Sequence, residues 1–193
     1  MDRFRPVGDV LEIASGTGGW TLALLRHASC VTAIDSSQEM HDQAQHKIGE
    51  DPRVRFLQAD IFSWRADRQY DVVFFANWLS HVPPSRFGSF WETIEAAVKP
   101  RGRIFFVDEG RDAVWRHEDI RDELVAGAHT PLDRRSLKDG SRFRVVKVYW
   151  DPAELGARLR EHGWAVTIHL VGPFFWGRGT TSRRSSWTTR QRD

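Results

Sequence analysis

Short apolar runs alternate with longer amphipathic stretches along most of the chain. Residues 9–14 (DVLEIA) are a mostly apolar run of strand length that breaks at once into Ser15-Gly16-Thr17-Gly18-Gly19. Residues 20–27 (WTLALLRH) carry a helical pattern, and residues 30–35 (CVTAID) read as a buried strand closing on an acid. Residues 37–47 read as a helix, with Ser37 as N-cap and Glu39 in the first turn, where a negative charge suits the helix dipole. Residues 54–58 (VRFLQ) alternate as a strand and lead into Ala59-Asp60, and residues 70–76 (YDVVFFA) are a fourth strand. A helix over 85–98 is stopped by Pro100 and Gly102, and residues 103–108 (RIFFVD) are a fifth strand.

The pattern then loosens. Residues 111–126 read as helical, 129–140 as a polar loop and 143–150 (FRVVKVYW) as a strand. A helix over 152–162 starts from Asp151 as N-cap with Pro152 at its first position, and Gly163 ends it. Residues 164–170 and 174–177 form a closing antiparallel pair joined through Gly172-Pro173. Strands separated by helical stretches imply βαβ units with right-handed crossovers. The expected fold is α/β: a Rossmann-like, mostly parallel seven-stranded sheet with an antiparallel C-terminal strand and a substrate-side insertion over about 110–150.

Composition narrows the class. With 193 residues, 40% hydrophobic and 28% charged, the chain suits one globular domain, here residues 1–178, followed by a disordered basic tail over 179–193. No apolar run reaches the roughly 18 residues of a membrane span, and the N-terminus carries no secretory signal. The single cysteine, Cys30, excludes an internal disulfide framework, so a reduced, cytoplasmic protein is expected. The net charge of +2 is uneven: from Arg178 to Asp193 five arginines face one acid, +4, which leaves −2 for the rest. A nucleic-acid enzyme places its basic stripe on the folded part, so neither nucleic acid nor membrane is an expected partner.

The chemistry begins at the first turn. Glycines after an apolar strand let the backbone pass close to a ligand, and the next helix offers unpaired N–H groups. A dinucleotide fingerprint would put a third glycine where Thr21 stands. Asp35 closes the second strand, where an acid can accept both hydroxyls of a ribose. Asp60 lies beyond the third strand with Ile61-Phe62 beside it, a place to receive an adenine amino group next to an apolar ring clamp. In such sheets the ligand crevice lies at the carboxyl ends of the strands.

LEIASGTG, AIDSSQEM, LQADIFSW and YDVVFFANWLSHVP resemble, in order and spacing, the motifs of class I S-adenosylmethionine-dependent methyltransferases, over roughly residues 8–178. Within that family the chain looks like small bacterial O-methyltransferases of natural-product pathways, including the phosphonate O-methyltransferase of dehydrophos biosynthesis. The resemblance implies S-adenosylmethionine as cofactor and S-adenosylhomocysteine as product. It implies that Glu12, Ala14 and Gly16 line the methionine part, with Ser15, Gly18 and Trp20 in the same turn. Asp35 and Ser36 would serve the ribose and Asp60, Ile61 and Phe62 the adenine; Met40 would pack on the adenine and Asn77 would lie beside the sulfonium. Two departures stand out. Ala14 replaces a frequent family glycine, and only residues 1–8 precede the first strand, where family members carry helices that lid the pocket, so either the start is misassigned, or the chain is a shortened form, or the pocket is open.

The segment after the fourth strand bears on the acceptor. Ala76-Asn77-Trp78-Leu79 is not the N-P-P-Y-like tetrapeptide of amino-methylating DNA enzymes, and Cys30 is not where a cytosine-C5 enzyme needs its nucleophile. Asp108-Glu109 has no evident partner acid, so no metal is expected. Methyl transfer from a sulfonium is an in-line displacement, in which the protein supplies chiefly proximity and alignment. A neutral hydroxyl also needs a base, for which His81 is the candidate, although a helix-start histidine bonding to backbone fits the residue equally well. His117 and His129 have weaker claims. Arg134-Arg135, Arg142, Arg144 and Lys147 supply cations, and period-two alternation puts Lys147 on a face with Phe143, Val145 and Tyr149. A charge among aromatics needs a partner. An anionic substrate or a snorkelling path to water would both serve, and the resemblance selects Arg135 and Lys147 as anion clamps, with Trp78, His81 and Arg144 also at the substrate. The expected function is methyl transfer to oxygen of a small phosphonate or carboxylate metabolite by a monomer or homodimer. The alternatives are a neutral hydroxyl with His81 as base, a cofactor-binding protein with little turnover because the lid is absent, and a nicotinamide oxidoreductase, against which Thr21 argues.

Overall fold

Val10, Leu11 and Ile13 are all fully buried on β1 (Asp9–Ile13), because this strand is covered on both faces and flanked on both edges. It pairs in parallel with β2 (Cys30–Asp35) on one side and β4 (Tyr70–Ala76) on the other. β3 (Val54–Gln58) adds to β2, and β5 (Val98–Glu109) adds to β4. A small separate hairpin pairs β6 (Leu132–Ser136) with β7 (Arg142–Val146). β8 (Trp164–Val171) and β9 (Phe174–Thr181) complete the main sheet. Its order is β3-β2-β1-β4-β5-β9-β8, with β9 antiparallel to both neighbours, the architecture expected from the sequence. The computed structural model describes residues 1, 4–110 and 146–181 in full and the backbone of 132–136 and 142–145.

Two apolar layers sandwich the sheet. Leu11, Ile13, Phe75 and Phe106 face Phe90 and Trp91 of α3 (Phe87–Ala97) and Leu155 and Leu159 of α4 (Pro152–Glu161). On the other face Val10, Val31, Phe74 and Phe105 meet Phe4 and Leu24, the latter from α1 (Gly19–Leu24). α2 (Gln38–Ile48) is capped by Ser37, whose hydroxyl accepts from the Met40 N–H. Asp151 caps α4 through the Ala153 and Glu154 N–H groups. Both caps agree with the sequence reading.

The differences have local causes. α1 has six residues rather than eight, since its last turn tightens into a bond from the His27 N–H to the Leu24 carbonyl before the chain enters β2. α3 begins at Phe87, after a 3₁₀ turn at Pro84–Arg86. β5 starts at Val98 and passes through Pro100 and Gly102 because Val98 pairs with Tyr70 ahead of a register shift. The strand expected over 143–150 ends at Val146, so the alternation that set Lys147 on a face with Phe143 does not reach it. Conversely, Leu132–Ser136, expected as loop, is a strand. β9 runs to Thr181, so residues 179–181, assigned to the tail from sequence, belong to the sheet. The helix expected over 111–126, His117, His129 and residues 182–193 lie outside the described residues.

Candidate functional site

The sheet order reverses between β1 and β4, and in sheets of this kind ligands bind at the carboxyl ends of the parallel strands beside such a switch point. One half is built by the turn after β1. Gly18 takes a left-handed φ of 75°, and a Cβ on it would stand 2.9 Å from Ile48 and 3.0 Å from Ala44, so the turn packs onto α2 only with glycine. Gly16 is also left-handed, at φ 52°, but a Cβ there would meet nothing within 4 Å. That open side is where a ligand can approach the backbone. Ala14, at φ 54°, holds a conformation that costs an L-residue with a Cβ about 1 kcal/mol.

The acids brace this turn. Asp35 accepts from the Gly16 N–H at 2.9 Å with one oxygen and from the Ser37 N–H at 3.0 Å with the other. A carboxylate has further lone pairs, so ribose hydroxyls can still be received. Glu12 is 1% exposed and accepts from the Thr21 hydroxyl at 2.6 Å. Thr21, the residue that breaks the dinucleotide fingerprint, is therefore the partner of the buried acid, a role the sequence reading missed. Burial pushes the Glu12 carboxyl up to about 8, the Thr21 bond pulling it down and the Asp35 charge raising it further. The Ser15 hydroxyl is buried in the turn without a partner among the described residues.

Asp60 caps the turn after β3 by accepting from the Phe62 N–H, with Ile61 buried behind it. The Phe62 ring lies 5.7 Å from that of Trp78, and the Arg86 guanidinium sits 4.8 Å over Phe62. Asn77 ends β4 at φ 51°, its N–H donating to the Val107 carbonyl. Ser36 and Met40 flank the Ser37 cap at the start of α2. Trp20 is 38% exposed and leans on Phe74, 5.4 Å away.

The other half lies past β4 and β5. The 3₁₀ turn Leu79–His81 is tied down from three directions. The Ser80 N–H donates to buried Asp108 at 2.9 Å, the Val148 N–H donates to the Ser80 carbonyl at 2.7 Å, and His81 Nδ1 stands 2.7 Å from the Val146 carbonyl. A carbonyl only accepts, so Nδ1 carries the hydrogen of this bond. The bond to backbone agrees with one of the two readings of His81. Lys147 Nζ donates to the Ser80 hydroxyl at 3.0 Å and pairs with Glu109 Oε2 at 2.9 Å. Its expected need for a partner is met inside the protein. Asp108 also accepts from the Glu109 N–H, and burial raises its pKa against the pull of the Ser80 amide and the Lys147 charge. Ser80 and Glu109, unassigned by the sequence, hold the centre of this half. Among the described residues no group of three or more His, Cys, Asp or Glu side chains is placed to hold a metal ion. Arg135 stands opposite Phe143 in the β6–β7 register and Arg144 opposite Arg134; their side chains lie outside the described residues.

A methyltransferase domain family matches residues 10–102. A solved structure 41% identical in sequence superposes with a TM-score of 0.80, covering 95% of this chain and 82% of its own. The chain belongs to the S-adenosylmethionine-dependent methyltransferases of class I. That solved structure is DhpI in complex with SAH, and a DhpI–SAM–HEP complex matches at the same identity. The chain is also similar to malonyl-[acyl-carrier protein] O-methyltransferase 2 of Ilyobacter polytropus, 28% identical over 61% of this chain and 44% of the relative. A ubiquinone biosynthesis O-methyltransferase of Coxiella burnetii is 31% identical over 50% of this chain and 42% of its own. The chain thus spans less than half the length of these two curated relatives. No described helix is long and apolar enough to cross a membrane.

Proposed function

We propose that this protein transfers a methyl group from S-adenosylmethionine to an oxygen of a small anionic metabolite, a phosphonate or a carboxylate. The observation that carries this reading is the Lys147 ammonium, 3% exposed, held past the carboxyl ends of β4 and β5 by Ser80 and Glu109. An ammonium has three N–H donors, and Ser80 and Glu109 use two. The third can take an acceptor oxygen. The resemblance of the sequence motifs to a phosphonate O-methyltransferase supports the same substrate class.

The turn after β1 fits the cofactor: open space over Gly16, an orphaned Ser15 hydroxyl, and Asp35 anchored so that it can serve a ribose. Glu12, Ala14, Ser15, Gly16, Gly18 and Trp20 would hold the methionine side, Asp35 and Ser36 the ribose, and Met40, Asp60, Ile61 and Phe62 the adenine, with Asn77 beside the sulfonium. When bound, the sulfonium supplies a methyl carbon whose bond to sulfur breaks as the acceptor oxygen bonds to it. Lys147, with Arg135 and Arg144 from the hairpin, holds the acceptor's charge. An acceptor that arrives ionised needs no proton removed.

A second reading takes His81, oriented by its Nδ1 bond to the Val146 carbonyl, as the base that a neutral hydroxyl needs. Steady-state kinetics of Lys147→Ala and His81→Ala on phosphonates, carboxylates and alcohols, with S-adenosylhomocysteine binding as the folding check, separates the two. We expect Lys147→Ala to raise KM at least tenfold, since a charge-assisted contact is worth about 1.5–3 kcal/mol, and His81→Ala to change kcat little. A loss of about 10²–10⁴-fold in kcat for His81→Ala, with Lys147→Ala near wild type, overturns the anionic reading.

A further inference from the structure

A buried cation without a partner is costly, because an ammonium taken out of water loses its solvation. Glu109 is the partner here. The two members of the pair differ in access: the Lys147 side chain is 3% exposed and the Glu109 side chain 22%. Lys147 is further pinned by the Ser80 hydroxyl and lies 5.5 Å from the Tyr149 ring centre. Ser80 is itself anchored through its N–H to Asp108 and its carbonyl to Val148. The cation is fixed; the carboxylate sits at the end of β5, on the solvent side of the pair.

We propose that Glu109 is a resident counter-ion that occupies the acceptor anion's place on Lys147 and yields it when the acceptor binds, which makes Glu109 a specificity-determining residue of the acceptor site. This rests on the anionic reading above. Charge alone has two consequences here. A neutral acceptor cannot displace a carboxylate from an ammonium, so Glu109 selects against it. Methylation removes one negative charge from the acceptor oxygen, so the product holds Lys147 more weakly than the substrate does, and Glu109 can reclaim the cation as the product leaves.

The test uses inorganic phosphate as the probe, titrated at fixed pH into the protein saturated with S-adenosylhomocysteine and followed by calorimetry. Removing the competing charge in Glu109→Gln should tighten phosphate about tenfold. Glu109→Asp, which keeps the charge but withdraws it by one methylene, should fall between, and it carries the comparison if the glutamine variant does not fold. Lys147→Met and the double variant Glu109→Gln/Lys147→Met should not bind phosphate. Binding that depends on Lys147 but is unchanged or weakened in both Glu109 variants overturns the counter-ion role and leaves the anionic reading standing. Phosphate binding that is indifferent to Lys147, or absent from every protein, overturns the anionic reading and the counter-ion role with it.

Discussion

The cofactor half and the acceptor half of the crevice are built by opposite means. Around β1 and β2 the contacts are short in sequence: Thr21 to Glu12 spans 9 residues and Gly16 to Asp35 spans 19. They hold backbone amides and glycine turns in place. Around β4 and β5 the contacts are long: Ser80 to Asp108 spans 28 residues, His81 to Val146 spans 65 and Lys147 to Ser80 spans 67. They hold buried charges. On the proposed function, a cofactor shared across the family is met by a fixed local turn, and the acceptor by side chains brought from the end of the insertion.

The comparison can be broken most forcefully at Lys147. Lys147→Met leaves Glu109 and Asp108 facing a gap where a cation stood, and breaking a buried pair from one side costs about 3–5 kcal/mol. Urea unfolding should show that loss, with S-adenosylhomocysteine affinity kept in the folded fraction; equal damage to cofactor affinity would mean that the two halves are not separable. Asp35→Ala should do the converse. It removes the brace on Gly16 and the ribose acceptor, and should weaken S-adenosylhomocysteine by about 1–3 kcal/mol in calorimetry while leaving acceptor KM alone.

Glu12 sharpens the contrast through pH. Its carboxyl is near 8 in the folded protein against 4.5 as an ordinary group, so the fold keeps a proton that the unfolded chain releases. Its favourable contribution is complete below pH 4.5 and is lost as pH rises to about 8, at no more than about 1.4 kcal/mol per unit. The Tm of the ligand-free protein should fall across that window, and Glu12→Gln should flatten the fall; raised Asp108 contributes in the same direction, so some slope remains. The smallest effect belongs to Ala14→Gly. Relieving a left-handed alanine, about 1 kcal/mol, against the roughly 0.5–1 kcal/mol of extra chain entropy that glycine brings, should gain no more than about 0.5 kcal/mol in urea unfolding.

The same division decides what the sequence can reveal. β2 and β4 are legible to the residue because buried parallel strands are near-continuous apolar runs bounded by polar turns, and β3, the half-exposed edge strand, is legible by its alternation. Asp35 and Gly16 are legible because a strand-end acid and a glycine turn carry their meaning locally. Lys147 stands out as a charge among aromatics, but its partner does not, since nothing in the sequence around residue 147 points to residues 80 and 109. The alternation that would orient it fails because β7 ends one residue earlier, at Val146. Thr21 reads as a missing glycine; a hydroxyl nine residues after a strand acid, on the first turn of the next helix, is the available signal.

Gly110 and Trp150 are joined by a bridge, and Trp150 is sunk in the core 5.1 Å from Phe87. The chain that leaves the scaffold at Gly110 therefore rejoins it beside its own point of departure, after Val146, Lys147 and Val148 have bonded to the Leu79–His81 turn. Doubling the length of such an excursion costs only about 0.6 kcal/mol of closure entropy. A longer or shorter graft between the same two ends is thus compatible with an unchanged sheet and an unchanged turn after β1, provided that it still delivers a cation to Ser80 and leaves Trp150 against Phe87.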